Sequence, residues 1–480
     1  MLKESEIAPV APREADMSTI QKVVAADMCI GCGACAFARP SAYAMKFDEY
    51  GRWVAEVSPS ATAADLALGS HLCPMGGEGP NEDAIAKDLY PSLPAHHEIG
   101  RYGTCGAVAV REGGFRAAGS SGGLTSWLLA ELIQSGEVAT LVHVKPRLSD
   151  AEGPLFEYAT STSIDEVTAR AKSRYHSVEM SEVLRCVAAQ EGPVAIVGVP
   201  CFIKAVRSLC AEHVELRQKV RYCVSLVCGH QKSRRYADLL ALQLDVAPDR
   251  IKTCDFRHKL PDRPASEYGF EVAAVTDNGS PLLRTAPMDH LIGGNWGQGF
   301  LKLTACDFCD DVVGECADIS IGDAWLPNFV EDSRGTNVVV VRDARISALI
   351  HQAVGDGRLE FVELSADEVA SSQRGGFNHR REGLAYRLHF FRSRGWWTPT
   401  KRVRPDAGIS AQRRRIYRAR MIVSRRSHVI MRRLFAAGPF DQLTTAMRAL
   451  QSEYVAATRL TLFERITRRL RKIVNGVTSR

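Results

Sequence analysis

The chain has 480 residues, of which 45% are hydrophobic and 24% charged, and its formal net charge is +6. These values are typical of a folded protein of two or three domains, and they exclude a chain that is disordered throughout. No stretch approaches the ~18 apolar residues of a membrane-spanning helix, and the polar start resembles neither a secretory nor a transit signal. A cytoplasmic protein is therefore predicted.

The first part of the sequence predicts a flexible leader, residues 1–20, and a small iron–sulfur module, residues 21–85. The module contains CIGCGAC, in which three thiols stand at two-residue gaps among small residues, a pattern typical of a loop that wraps a [4Fe–4S] cluster. A zinc knuckle and buried thiols with chance spacing are the alternatives, although zinc ligands usually come in pairs. The predicted cluster ligands of this run are Cys29, Cys32 and Cys35.

The fourth ligand of this cluster is predicted outside the run. A bacterial ferredoxin run ends in Cys-Pro, and in two-cluster proteins that last cysteine binds the other cluster. Here the run ends in Arg39-Pro40, so the arginine removes a ligand from a second cluster and not from this one. A remote Cys-Pro completes the first cluster, and Cys73-Pro74 is the matching dipeptide.

From about residue 101 the sequence alternates between buried-type strands and amphipathic helices. The strand GAVAVREG leads into GSSGG and a helix, and the apolar runs ATLVHVKP, VAIVGVPC and RYCVSLVC each precede helical patterns. The stretch SIDEVTARAKSRYHSVEMSEVLRCVAAQEG is predicted to be mostly helical, and residues 251–345, including CDFCDD, are predicted to be richer in strands. The expected fold is an α/β core with sites at strand carboxyl ends, a small N-terminal ferredoxin-like iron–sulfur module and an α-helical basic C-terminal extension.

A second cysteine pair predicts another cluster. Cys306 and Cys309 need two further ligands, and Cys201 and Cys228 each end an apolar strand, so both are expected at the same edge of the sheet. The alternative for either strand-end cysteine is a buried structural thiol. Six cysteines are left as core thiols, with the last of them the nearest substitute for a ligand: Cys105, Cys186, Cys210, Cys223, Cys254 and Cys316.

Taken in order, these motifs resemble the coenzyme F420 hydrogenase/dehydrogenase beta subunit family over roughly residues 25–350. The resemblance lies in CIGCGAC, GSSGG, AKSRY, VAIVGVPCFIKAVRSL, VSLVCGH, DFRHK and CDFCDDVVGECADISIGDAW. It implies an N-terminal-type domain at residues 100–178, a C-terminal-type domain at residues 185–350, and a flavoprotein with FAD and one or more [4Fe–4S] clusters. The two cysteine sets predict two clusters here.

The resemblance also implies a function. In the family, FAD exchanges single electrons with the clusters and hydride with coenzyme F420 or another organic acceptor, so a ferredoxin-like donor is the expected partner. Some members reduce hydroxymethyl chlorophyll, and bacterial members often serve polysaccharide pathways. A non-enzymatic electron-transfer subunit and a zinc-stabilised module that binds nucleic acid are the alternative interpretations.

Three motifs are expected to contact the flavin. Backbone N–H groups of GSSGG at a helix start suit the FAD pyrophosphate, although a tight turn with a serine cap has the same sequence. The cationic and hydroxyl groups of AKSRY suit contacts with the phosphates or with the flavin ring. The alternative is that they form a solvated helix end. The cations of DFRHK suit contacts with an anionic substrate or with the reduced flavin. The alternative is that they are ordinary surface charges. Asp323 is expected to line the same site. The predicted cofactor-binding residues are Ser120, Ser121, Gly122, Gly123, Lys172, Ser173, Tyr175, Arg257 and Lys259.

Charge is distributed unevenly along the chain. Residues 401–480 contain 20 Lys and Arg against 4 Asp and Glu, a net +16, which leaves −10 on the first 400 residues. Such a segment favours an anionic membrane surface, an acidic protein surface or nucleic acid. No zinc-finger or RNA-recognition signature is present, so sequence-specific nucleic-acid binding is not expected. Peripheral membrane docking and packing on the acidic body or on a partner are both left open.

Overall fold

The computed structural model describes residues 17–147, 153–168, 172–276, 278–435 and 440–460. The elements of its N-terminal region are α1 (Thr19–Ala25), α2 (Ala34–Ala38), β1 (Tyr43–Phe47), β2 (Trp53–Val57), α3 (Ala63–Leu72) and α4 (Glu82–Leu89). Strands β1 and β2 pair antiparallel. Thr62 begins α3 with a capping box, because its hydroxyl accepts from the Asp65 N–H and the Asp65 carboxylate accepts from the Thr62 N–H.

The centre of the molecule is an eight-stranded mixed sheet. The remaining strands are β3 (Ala95–His96), β4 (Gly100–Arg101), β5 (Thr104–Val110), β6 (Thr140–Pro146), β7 (Phe156–Ser161), β8 (Val194–Gly198), β9 (Val220–Leu226), β10 (Ile251–His258), β11 (Gly269–Val275), β12 (Pro281–Pro287), β13 (Ile319–Asp323), β14 (Asn337–Val341) and β15 (Leu359–Glu363). The sheet has the order β15-β5-β14-β13-β9-β8-β6-β7, and β10, β11 and β12 form a separate antiparallel sheet.

Within the large sheet, β6, β8, β9 and β13 run parallel, and antiparallel strands flank them on both sides. Strand β8 is buried along its whole length, as expected for a parallel strand covered on both faces. The carboxyl ends of the parallel strands therefore share one edge of the sheet, where the sequence places Cys201, Cys228 and Asp323.

Helices cover the sheet and continue after its last strand. They are α5 (Phe115–Ala118), α6 (Leu124–Gln134), α7 (Ile164–Thr168), α8 (Ser181–Ala189), α9 (Pro200–Glu212), α10 (Val214–Lys219), α11 (Arg235–Leu242), α12 (Pro327–Val330), α13 (Ala344–Gly355), α14 (Ala366–Ser372), α15 (Arg374–Arg380), α16 (Glu382–Arg392), α17 (Ala411–Phe435) and α18 (Phe440–Thr458). The α/β core and the C-terminal helices confirm the predicted fold class, whereas the ferredoxin-like character of the N-terminal module stays a prediction.

Two segments differ from the local prediction. The residues from Lys172 to Met180 are not helical, because their N–H groups bond outside the segment: Ser173 N–H to Ser120 Oγ and Met180 N–H to the Cys32 carbonyl. The CDFCDD motif is not a strand, since Thr304–Phe308 forms a 3₁₀ turn. Both segments lie at the candidate site described below.

The basic extension packs on the body as far as the structure describes it. Tyr417, Met421, Val423 and Met431 of α17 are each at most 2% exposed, and they belong to the same hydrophobic cluster as Val23 of the N-terminal region. Of the alternatives for this extension, the described residues thus favour packing on the body. The predicted helix FERITRRLRKIV and the first 16 residues of the predicted leader lie outside the described residues.

None of the helices in the described ranges combines the length and the apolar composition needed to cross a membrane.

Candidate functional site

The first cysteine set, Cys29, Cys32, Cys35 and Cys73, comes together in the N-terminal region. The first three lie between α1 and the first turn of α2, and Cys73 directly follows the last residue of α3. Burial raises the pKa of Cys29 to about 11, and the Cys73 thiol adds to the rise. Burial and neighbouring thiols of the same set also raise the pKa values of Cys32 and Cys35. The four sulfurs are therefore neighbours.

Two glycines let the loop fold around these thiols. Gly31 and Gly33 have φ values of +73° and +78°, and a Cβ on Gly31 would stand 2.5 Å from the Trp53 carbonyl oxygen. The Ala55 N–H donates to Cys29 Sγ at 3.3 Å. Close backbone approach and N–H···S contacts are what an iron–sulfur cluster requires, so the residues of the first cysteine set fit a [4Fe–4S] group.

Arg39, which replaces the ferredoxin cysteine, makes a surface ion pair. Its Nε lies 3.2 Å from Asp65 Oδ1, and its side chain is 44% exposed. Its Nη1 donates to the Ala38 carbonyl. Ion pairs at the surface contribute little to stability because solvent screens them, so Arg39 has a minor structural role.

Cys73→Ser and Arg39→Ala form a matched test of this assignment. The serine variant is expected to lose about four irons per chain, one cube, and to keep its flavin. The alanine variant is expected to keep all its iron, because the contacts of Arg39 are with Ala38 and Asp65. Iron and flavin assays on both proteins measure the difference. Equal iron in the two variants would count against Cys73 as the fourth ligand.

The second cysteine set surrounds a small cavity at the carboxyl ends of β8 and β9, here called the cysteine cavity. Burial raises the pKa of Cys201, and the other three thiols of the set raise it further. Cys316, the alternative ligand, is 1% exposed and lies outside the cavity wall. The thiols that line the cavity are Cys201, Cys228, Cys306 and Cys309.

Gln231 supplies hydrogen-bond donors to this second set. Its backbone N–H donates to Cys306 Sγ at 3.3 Å, and its side-chain Nε2 lies 3.8 Å from Cys201 Sγ. Arg380 also lines the cysteine cavity. Donors directed at sulfur fit a cluster whose thiolates carry negative charge.

The two cysteine sets are adjacent. Ile30, between two cysteines of the first set, and Met75, just after Cys73, both line the cysteine cavity of the second set. The Cys32 thiol also contributes to the raised pKa of Cys201. The chain therefore places two groups of four thiols side by side.

Among the residues that the structure describes, no three His, Cys, Asp or Glu side chains are arranged to hold a single metal ion. A [4Fe–4S] cube places each of its four thiolates on a different iron, so its ligands stand further apart than those of one ion. The absence of a single-ion arrangement among the described residues is therefore compatible with a [4Fe–4S] cube.

A large cavity of about 780 Å³ opens beside the cysteine cavity at the carboxyl ends of the parallel strands. Its volume lies in the range of small-molecule and cofactor sites. Gly122 and Lys259 are outside its lining, whereas Asp323 belongs to it. The other predicted cofactor-binding residues all line it: Ser120, Ser121, Gly123, Lys172, Ser173, Tyr175 and Arg257.

The GSSGG loop is fixed to its surroundings by several contacts. Gly123 ends the loop at φ +86°, and a Cβ on Gly122 would stand 2.6 Å from the Val108 carbonyl oxygen, so both positions require glycine. Ser120 Oγ accepts the Ser173 N–H at 2.9 Å, which joins two of the predicted motifs. Lys259 Nζ donates to the Ser121 carbonyl at 2.9 Å. Gly122 and Lys259 therefore support the loop from behind.

Arg257 and a group of aromatic rings form another part of the wall. The Arg257 guanidinium bonds both carboxylate oxygens of Asp323, at 2.9 and 3.0 Å. The Trp296 ring centroid is 4.4 Å from that of Tyr175 and 4.0 Å from that of His230. Flat apolar faces beside a fixed cation suit a planar, electron-accepting ring.

The charge of the large cavity is predominantly positive. Within the described chain, its lining includes one carboxylate, Asp323. The cations of the same lining are Lys172, Arg174, Arg257, Arg380, Arg413 and Arg420. Lys172 pairs with Asp255, Arg257 with Asp323 and Arg413 with Glu382. Six cations against these three carboxylates leave an excess of three positive charges, which favours anionic ligands.

Sequence reasoning missed part of this wall. Trp296 lies in none of the quoted motifs, and His230 ends VSLVCGH but was given no role. Arg380 precedes the predicted basic extension, and Arg413 and Arg420 were identified only as part of it. The clue available in the sequence was the charge of −10 before residue 401 against +16 after it, which favours contact between the two parts. Helix α17 thus contributes to the site.

Comparison with known proteins gives two sequence matches, both to the beta subunit of coenzyme F420 hydrogenase/dehydrogenase. The N-terminal part of that family matches residues 107–185, and its C-terminal part matches residues 192–367. Together the two matches span more than half of the chain. No curated protein matches the sequence.

Among solved structures, a chain of the F420-reducing [NiFe] hydrogenase complex from Methanosarcina barkeri, studied by xenon derivatization, matches with a TM-score of 0.46 and 16% identity. The match covers 62% of this chain and 96% of that one.

Proposed function

The chain belongs to the coenzyme F420 hydrogenase/dehydrogenase beta subunit family of oxidoreductases, and we propose that it is an iron–sulfur flavoprotein that reduces coenzyme F420 or another organic substrate. The observation that carries this proposal is the series of three neighbouring sites. The first cysteine set borders the cysteine cavity, and Cys228, Gln231 and Arg380 line both that cavity and the large one.

In this proposal, the bound clusters and FAD carry one-electron transfer and hydride transfer, respectively. The chain binds two [4Fe–4S] clusters, one at each cysteine set. Its N–H donors, from Ala55 to Cys29 and from Gln231 to Cys306, orient the ligands and offset their charge.

We place FAD in the large cavity. The start of α6 and the loop that precedes it line the cavity through Ser120, Ser121 and Gly123, and a glycine-rich loop at a helix start suits a pyrophosphate. Tyr175 and Trp296 offer ring faces, and Arg257 is held beside them by Asp323. The surplus cations of the lining favour an organic substrate that is itself anionic.

The proposed donor is a ferredoxin-like protein that approaches the first cysteine set. Cys29 and Cys73 are partly exposed, whereas Cys32 and Cys35 are buried. The cysteines of the second set are also partly exposed, but Cys228 borders the large cavity. The second set is therefore the expected exit toward the flavin, and the first set the expected entry point. An acidic partner, or a membrane surface, at the basic extension stays a secondary proposal.

Lys259→Met is expected to weaken FAD binding by about tenfold, because a hydrogen bond from a charged donor is worth about 1.5 kcal/mol or more. Burial and the nearby cations Lys172 and Arg116 lower the pKa of Lys259 to about 8. Wild-type affinity for FAD should therefore fall as pH rises through about 8, where the ammonium loses its proton. The variant should show no such step.

Fluorescence titration of FAD into the apoflavoprotein across this pH range measures both effects. Lys252→Met is the matched control, because Lys252 lies on β10, the strand that Lys259 directly follows, and is exposed. An unchanged pH profile in the Lys259 variant would contradict a role of that ammonium under the flavin loop.

The proposed reaction is tested with anaerobically purified protein. Reduced ferredoxin or a reduced viologen serves as donor, oxidised coenzyme F420 as acceptor, and the visible absorbance of the acceptor reports turnover. We expect the flavin to be reduced by the donor and reoxidised by the acceptor. A chain that binds iron but no flavin would overturn the reductase and favour an electron-transfer subunit of a larger complex.

A further inference from the structure

Arg380 lies where the two cavities meet, on a part of the chain outside the family match, which ends at residue 367. It is the last residue of α15 and is 2% exposed. Its side chain lines both the cysteine cavity and the large cavity. A buried arginine in this position is a charge placed between the two proposed cofactor sites.

The partners of this guanidinium are sulfur atoms. Burial lowers the pKa of Arg380, whereas the neighbouring thiols Cys309, Cys228 and Cys306 raise it and outweigh that effect; all three thiols line the cysteine cavity together with Arg380. Its Nε has no hydrogen-bond partner in the described part of the chain. A buried cation is costly unless it is compensated, and three thiolates on a cluster would provide that compensation.

A cation held against cluster sulfur has a defined consequence. Reduction adds one negative charge to a cluster, so a positive charge in the wall of its cavity stabilises the reduced form. The low polarity of a buried site strengthens the effect.

We propose that Arg380 is a positioning residue that raises the reduction potential of the cluster at the second cysteine set and thereby makes that cluster the electron acceptor next to the large cavity. The inference rests on the proposed function. It assigns a redox role to the C-terminal segment that lies beyond the family match.

The test is a redox titration of the full-length, anaerobically purified protein, followed by electron paramagnetic resonance. Arg380→Gln and Arg380→Met are expected to shift one of two midpoint potentials to a more negative value, with the one-electron equilibrium lowered about tenfold, or ~59 mV. Arg380→Lys, which keeps the charge, should recover part of the shift. The Cys73→Ser variant is expected to retain the second cluster. The midpoint potential that remains in this variant therefore shows which of the two potentials belongs to that cluster.

Arg374→Met is the matched control. Arg374 lies on the same helix, pairs with Glu98 at 2.7 Å and is half exposed, so its loss should leave both potentials unchanged. Potentials that do not move in the Arg380→Gln protein, or that move equally in the Arg374→Met protein, would overturn the inference. Loss of the cluster from all three Arg380 variants would also overturn it, since Arg380 would then hold the cluster. Absence of clusters from the wild-type protein would instead refute the proposed function.

Discussion

Replacing Cys201 with alanine is expected to lower the iron content from about eight to about four per chain, because each cube contains four irons and needs its four ligands. Cys201 follows β8 at the start of α9 and shares the cysteine cavity with the other three thiols of its set. Loss of that cluster should also stop the donor from reducing the flavin, while the flavin itself stays bound.

Cys210→Ala is the control for this experiment. Cys210 lies on the same helix and is 8% exposed, and it lines neither cavity. The control should keep its iron and its flavin reduction, with at most a modest loss of stability. Full iron content in the Cys201 variant would remove Cys201 from the ligand set and return it to the class of buried structural thiols.

Arg402→Met is expected to lower the free energy of unfolding by about 3–5 kcal/mol, the usual effect of breaking a buried charge network. The Arg402 guanidinium bonds both carboxylate oxygens of Glu315, at 2.7 and 2.8 Å. It also lies 3.2 Å from Glu82 and 3.5 Å from Asp310. These three carboxylates have side-chain exposures of 2%, 6% and 3%, so the variant leaves buried negative charge without its main partner.

The change is measured by urea unfolding of Arg402→Met beside Arg404→Ala. Arg404 is exposed, and its loss should cost within about 0.5 kcal/mol, as for most surface substitutions. A similar cost for both variants would show that the link between the basic extension and the N-terminal region is a surface contact only. The loss of free energy expected for Arg402→Met is large because the free energy of unfolding of a domain is only about 5–15 kcal/mol.

The grouping of the thiols is the feature of the site that follows most directly from the sequence, whereas their role as cluster ligands stays a prediction. Ligand spacing in CIGCGAC is local, and the strand-end positions of Cys201 and Cys228 follow from apolar runs that form parallel strands. The structure brings the eight thiols into the two predicted groups of four. The periodic apolar pattern likewise predicted the α/β core, because buried parallel strands and amphipathic helices each have a characteristic order of apolar residues in the sequence.

Other features of the site could not be predicted from the residues next to them in the sequence. The turn at Cys306, and the extended segment from Lys172 to Met180, depend on hydrogen bonds to residues far away in the chain, so propensity alone assigned them wrongly. Trp296 lines the large cavity, but its position there depends on the tertiary fold and not on the residues next to it in the sequence. The arginines of α17 were recognised as charge, but their contact with the cavity depends on packing between the chain's two ends.

The most direct test of the account is to quantify iron, acid-labile sulfide and flavin in the anaerobically purified protein. Two clusters and one flavin predict about eight irons and eight sulfides per chain and one FAD, in a brown protein. Fewer than about four irons per chain, or a colourless protein that contains zinc, would contradict the proposed electron relay.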